Sequence, residues 1–223
     1  VFLCSALFVV GPNARIAKDR LRLACAAPGN QLAVFVEAIE ELSQRAAYLY
    51  EEAGRYWFST QATLNRVADD RAKSLADHDV DAAIVDILRA DAATKGGFHR
   101  VHGAPDDPIM IDEATAISLV ILGPSMPHAG KGPTGSKATD AAADTILRHR
   151  SSQRTNRNTL IFVAADEVQL ATAREVVRKA IAWESILKDD RLLQQLTRAQ
   201  SDDAKEKAKT SRDAAQKAVR SAW

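Results

Sequence analysis

Several stretches of this chain hold residue types whose order and spacing could support chemistry, and each has a specific requirement to meet. The run Gly130-Lys131-Gly132-Pro133-Thr134-Gly135-Ser136-Lys137 has the composition of a phosphate-binding loop. Such a loop needs glycine, then lysine, then serine or threonine, so that the lysine reaches the β- and γ-phosphates. Here the order is Gly135-Ser136-Lys137, and Pro133 removes one of the backbone N–H groups that would cradle a phosphate. The run is therefore not a Walker A loop. In Leu160-Ile161-Phe162-Val163-Ala164-Ala165-Asp166-Glu167 an acid follows an apolar strand, as in a Walker B segment that holds Mg²⁺. Asp166 with Gln169 three residues later is also the signature of a helix N-cap, and that is the expected role.

The densest basic segment is Arg148, His149, Arg150, Arg154 and Arg157, with no acid between Arg148 and Asn158. Arg154 and Arg157 are candidate ligands for a nucleotide phosphate, either in this chain or in trans. Arg15, Lys18 and Arg22, together with Arg148 and Arg150, are candidate nucleic-acid contacts. The five histidines show no accompanying cysteine or carboxylate at ligand spacing, so no metal site is expected. No serine sits in a Gly-X-Ser-X-Gly elbow, and Cys4 and Cys25 lie in apolar helical patterns.

The elements that would position these residues follow from apolar periodicity. Asn13 can cap a helix whose apolar side is Ile16, Leu21, Leu23 and Ala24. A second helix runs over 31–45 with Val34, Phe35, Ala38, Ile39 and Leu42 on one face. Aromatic-rich segments then flank Glu51-Glu52-Ala53-Gly54, which reads as a β-hairpin. Helices followed by a hairpin give the order of a winged helix-turn-helix. The helix that would read DNA carries Glu37, Glu40 and Glu41 against Arg45, the wrong sign for phosphate contact.

Further along, two helices span 63–88 with a break near 77–79, and strands are expected at 98–101, 118–122 and 159–163. The last two are continuous apolar runs, which suits a parallel sheet covered on both faces. Helices over 138–149 and 168–187 follow them and complete an α/β unit. An alanine- and lysine-rich helix follows over 202–223; from Ser201 to Lys217 the pattern is polar nearly all round, so it needs a partner or remains a marginal helix. The expected fold class is mixed α/β: a winged-helix-like region over 1–60, a small mostly parallel α/β region over 61–185, and a long polar C-terminal helix within 186–223.

Composition bounds the rest. Of 223 residues, 46% are hydrophobic and 26% charged, which excludes a disordered or collagen-like chain. The net charge of +1 gives no field strong enough to imply nucleic acid or membrane by itself. Two cysteines exclude a disulfide scaffold and fit a reducing compartment, so a cytoplasmic location is expected. The apolar run from Val1 to Val10 is too short to span a bilayer and lacks a basic leader. No membrane association is expected. The apolar start and the uncapped helical end read as cuts through a longer polypeptide.

Several blocks carry a resemblance. Arg55-Tyr56-Trp57-Phe58-Ser59-Thr60-Gln61 with Leu64-Asn65-Arg66 is similar to a recurrent stretch of very large AAA-type P-loop ATPases of bacteria and archaea. These were long described only as a domain of unknown function and are often encoded beside DNA methyltransferases and helicases in anti-phage islands. Leu119 to Pro124, Pro127-His128-Ala129-Gly130-Lys131, Arg157 to Asp166 and Ala180-Ile181-Ala182-Trp183 resemble later blocks in the same order, with Ala62 where the family usually has proline. The resemblance implies an internal segment of such an ATPase with its phosphate loop upstream of Val1. It implies ATP and Mg²⁺ in the parent protein, neither bound by this segment alone, and a segment inactive by itself. Expected partners are the other domains of the parent, with DNA and the methyltransferase or helicase as further ones. No catalytic residue is transferred onto this stretch. The alternative is a stand-alone winged-helix nucleic-acid-binding module.

Overall fold

The computed structural model describes residues 15–26, 32–58, 63–94, 96–130 and 136–223. They fall into two compact units that divide between Lys73 and Ser74. The class is mixed α/β, with a small parallel sheet and a long C-terminal helix.

In the first unit, strand β1 (Ile16–Ala17) leads into helix α1 (Lys18–Cys25), α2 (Leu32–Arg45) and the hairpin β2 (Leu49–Glu52) and β3 (Arg55–Phe58). The sheet order is β1-β3-β2, antiparallel throughout, with Ile16 opposite Tyr56 and Leu49 opposite Phe58. Two helices followed by a hairpin that the preceding strand closes on make this region winged-helix-like. Ala53 and Gly54 both have positive φ, 48° and 71°, the twist a two-residue hairpin turn requires. The Gly54 amide donates to Glu51 Oε1 at 3.0 Å. Leu21, Ile39, Leu49 and Tyr56 form the core.

The expected first helix is corrected at its start. Ile16 does not lie on a helix face, because its backbone pairs with Tyr56 of β3, and the helix begins at Lys18. Asn13, which had been expected to cap it, lies outside the described residues, as do Cys4 and the glycine-rich positions 131–135. Helix α3 (Leu64–Ser74) buries Leu64, Ala68 and Ala72.

The second unit is built on three parallel strands, β4 (Val101–Gly103), β5 (Ser118–Ile121) and β8 (Leu160–Val163), in that spatial order. Ser118 stands opposite Leu160, and Val101 opposite Leu119. Helix α4 (Asp77–Ala92), α6 (Glu167–Leu187) and α8 (Arg198–Ala222) supply one core, which includes Val80, Ile84, Leu88, Leu170, Val177 and Val219. Helix α5 (Lys137–Leu147) and the 3₁₀ turn Pro108–Met110 border another, around Ile111, Val120, Leu122 and Ala138. Strand alternation explains the split: Val120 and Leu122 are buried in the second core, while Ile121 packs against the first. A two-residue hairpin, β6 (Arg148–His149) and β7 (Ser152–Gln153), follows α5 directly, and the short α7 (Asp190–Leu193) links α6 to α8.

Three expectations are corrected here. The first strand of the sheet is not 98–101 but Val101–Gly103. Gly103 lies so close to α4 that an added Cβ would stand 2.7 Å from Ala92 Cβ and 2.9 Å from the Leu88 carbonyl, so glycine lets the strand and helix meet. The helix break falls at 75–76, not 77–79: Asp77 and Asp79 occupy the first turn of α4, where carboxylates suit the positive end of the helix dipole. The C-terminal helix is not polar all round. Ala204, Ala208, Ala215, Val219 and Ala222 form a narrow buried stripe, and these small side chains let α8 lie close along α6. Thr197 and Gln200 cap it reciprocally.

Candidate functional site

In parallel α/β sheets ligands bind outside the carboxyl ends of the strands, and here that edge is assembled from four separate parts of the sequence. The loop after β5 turns back so that His128 makes a parallel bridge with Asp166, three residues past the end of β8. The His128 amide donates to the Ala165 carbonyl at 2.7 Å, and its own carbonyl accepts from Glu167 N at 3.0 Å. His128 Nδ1 lies 3.0 Å from Ser136 Oγ. Ser136, 1% exposed, caps α5 in a reciprocal box with Thr139.

Asp166 is the expected N-cap. Its Oδ1 accepts from Val168 N and Gln169 N, each at 3.0 Å, and its backbone amide donates to the Ala222 carbonyl. Trp223 Nε1 donates to the Leu122 carbonyl at 2.8 Å, just past β5. Arg174 of α6 grips Asp81 of α4 with two hydrogen bonds, at 2.7 and 2.9 Å, and adds a third to the Pro124 carbonyl. The Asp81 carboxylate holds the Arg174 guanidinium above its ordinary range. The edge is thus fastened by backbone and side-chain hydrogen bonds, with its acid and its serine engaged as helix caps.

The basic segment folds differently from a solvated loop. Register in the β6–β7 hairpin pairs Arg148 with Gln153 and His149 with Ser152, so alternation sends Arg148 and His149 to opposite faces. Arg154 is 1% exposed. Its Nε donates to the Thr145 carbonyl and its Nη2 to the Ile111 carbonyl, both at 2.8 Å. Arg154 Nη1 and His149 Nε2 are buried with no hydrogen-bond partner. Burial lowers the Arg154 pKa from its ordinary value. This arginine pins α5 to the segment after the 3₁₀ turn, and its guanidinium does not reach the surface.

Arg157 donates from Nε to the Arg154 carbonyl and from Nη2 to Gln153 Oε1, both at 3.2 Å, and stays exposed. The segment lacks acids in sequence but not in space: Arg148 pairs with Asp144 at 2.8 Å, Arg150 with Asp112 at 3.3 Å, and Thr155 N donates to Glu113.

The other nucleic-acid candidates are also engaged. Arg15 stacks over Trp57, 4.1 Å from the ring centroid, and Trp57 stacks on Tyr50. Lys18 bonds Glu40, which raises its pKa, and Arg22 lies 3.8 Å from Asp19. Among the described residues no group of three or more His, Cys, Asp or Glu is arranged to hold a metal, and no helix is long and apolar enough to cross a membrane.

Sequence reasoning missed the Arg174–Asp81, Arg178–Asp77 and Arg220–Asp91 pairs and the Trp223–Leu122 bond. Their partners are so far apart along the chain that no local spacing signals them. Comparison with family models, with curated proteins and with solved structures finds no match to this chain.

Proposed function

We propose that this chain is a segment of a large P-loop ATPase of a DNA-modification or phage-defence system, coupling the nucleotide state of the parent to the engagement of its partners. One observation supports this reading above the others. The specific block Arg157 to Asp166 lies well after the short blocks Leu119 to Pro124 and Pro127 to Lys131 in sequence, yet their described residues meet at the carboxyl edge of one parallel sheet. There His128 bridges Asp166 and Trp223 bonds Leu122. The Arg55 to Phe58 block forms β3 of the hairpin.

At the sheet edge the acid after the third strand is not free to hold Mg²⁺. Asp166 is engaged as a helix cap, and no metal-ligand cluster is present among the described residues. In this reading ATP and Mg²⁺ are held by the parent, and the segment's part is to transmit. A purely nucleic-acid-binding module has less support, because Arg15 is stacked over Trp57 and Lys18, Arg22 and Arg150 each face an acid of this chain.

The test is to read the open frame upstream of Val1 in the source DNA and then assay the parent. An in-frame Gly-X-X-X-X-Gly-Lys-Ser/Thr between strand and helix patterns is expected, as is ATPase activity that His128→Ala in the full parent alters. A start codon directly before Val1, or a parent without ATPase activity, overturns the reading.

A further inference from the structure

The outer face of the β6–β7 hairpin opens onto a cavity of about 340 Å³ lined by Leu147, Arg148, Ser151, Ser152, Gln153 and Arg157. No carboxylate is in that lining. Arg148 and its cross-strand partner Gln153 share one face, and Arg157 reaches them by its bond to Gln153 Oε1. Because that oxygen accepts from Arg157, the amide NH₂ of Gln153 remains as a donor.

A guanidinium carries five N–H donors in a planar fork. Arg148 uses Nη2 on Asp144, and Arg157 uses Nε and Nη2 on Arg154 and Gln153, so each has donors left over. The Arg148–Asp144 pair is a surface pair, with side chains 64% and 36% exposed, and such pairs hold their partners weakly. The buried Arg154 beneath anchors the hairpin through Thr145 and Ile111, which fixes the geometry of the face above it. Arg150 at the tip has a positive φ of 56°, a strained conformation for a side chain of that size, and its guanidinium turns away to Asp112. The turn therefore leaves Ser151 and Ser152 to line the cavity with the two arginines.

We propose that this cavity binds a phosphate group of a small ligand, with Arg148 and Arg157 as its charged partners and Gln153 and the Ser151 hydroxyl as neutral donors; the Ser152 hydroxyl already donates to the His149 carbonyl. Contacts from guanidiniums to a phosphate oxyanion are charge-assisted hydrogen bonds, of the strongest class available to side chains. The inference does not depend on the ATPase reading, since it rests on the hairpin and not on the sheet edge.

The experiment titrates the full 223-residue chain with inorganic pyrophosphate by calorimetry at low salt, with ATP in a parallel arm. Saturable one-site binding of pyrophosphate is expected, weakened about tenfold or more by Arg148→Gln and by Arg157→Gln. Arg89→Gln, on an exposed arginine paired with Asp106 outside the cavity, is expected to bind as the unaltered chain does. Circular dichroism checks each variant, and Arg148→Gln removes no bond to the hairpin backbone. ATP binding more tightly than pyrophosphate assigns the phosphate to a nucleotide, and equal binding assigns it to free polyphosphate. Absence of saturable pyrophosphate binding, or binding unchanged in the Arg148→Gln, Arg157→Gln double variant, overturns the proposal.

Discussion

Trp223 Nε1 donates to the carbonyl of Leu122 at 2.8 Å, so the far end of α8 is fastened to the residue just past the central strand of the sheet. The neighbouring Asp166 amide bonds the Ala222 carbonyl, which ties the same helix end to the start of α6. Trp223→Phe keeps most of the ring and deletes the donor. It is expected to cost about 1–2 kcal/mol, the range for leaving one partly buried carbonyl unpaired. Chemical denaturation of the two forms measures the difference.

Arg174 and Asp81 form the bidentate pair that joins α6 to α4, with side chains 32% and 30% exposed. Removing either partner leaves the other without its charge complement in a half-buried setting. Arg174→Gln and Asp81→Asn are each expected to lose about 1–3 kcal/mol, with strongly non-additive effects in the double variant. A double-mutant cycle from urea midpoints reads the coupling, and additivity would remove the pair from the account of how these helices are held.

Gly103 has an ordinary φ, so its role is close approach and not backbone freedom. Gly103→Ala would place a methyl 2.7 Å from Ala92 Cβ and 2.9 Å from the Leu88 carbonyl. The backbone on that side cannot yield cheaply. A loss of about 1–3 kcal/mol is expected, as for overpacking elsewhere. Partial recovery on adding Ala92→Gly, which removes the side-chain contact and leaves the one with the Leu88 carbonyl, would locate the clash.

His102 has its pKa lowered, first by burial and then by the charge of Arg100, with a smaller contribution from Arg154; Asp112 opposes them. The folded state therefore disfavours the protonated imidazole relative to the unfolded chain. The sign follows: the contribution is fully present above the unfolded value of about 6.5 and is lost as pH falls from there through the lower folded value. Stability measured in urea is expected to drop across that window, and His102→Gln is expected to flatten the drop. An unchanged pH profile in the variant would show that other groups govern it.

Much of the fold was legible in the residues. The hairpin around Gly54, the strands at 118–121 and 160–163, the helix after Asp166 and its cap all follow from local pattern, because period and turn chemistry are properties of neighbours in the chain. The partner of the C-terminal helix was not legible. Its buried stripe is alanine, which hydropathy scarcely distinguishes from the polar residues around it, and only the approach of α6 gives those small side chains their meaning. The candidate site divides in the same way. Asp166 could be assigned as a cap from Gln169, whereas the burial of Arg154 could not be foreseen, since arginine on a polar segment carries no sign of the two carbonyls, Thr145 and Ile111, that receive it.

By itself, the sequence determined the fold class, the kinds of element and roughly where each begins, because propensity, periodicity and capping act over a few residues. Tertiary structure alone decided which charges are free to act. Charge on a side chain is set by its type, but its availability depends on what the fold brings within a few ångströms. Asp112 and Glu40 are brought from distant parts of the chain to Arg150 and Lys18. The same folding gathers Arg148, Gln153 and Arg157 around one cavity.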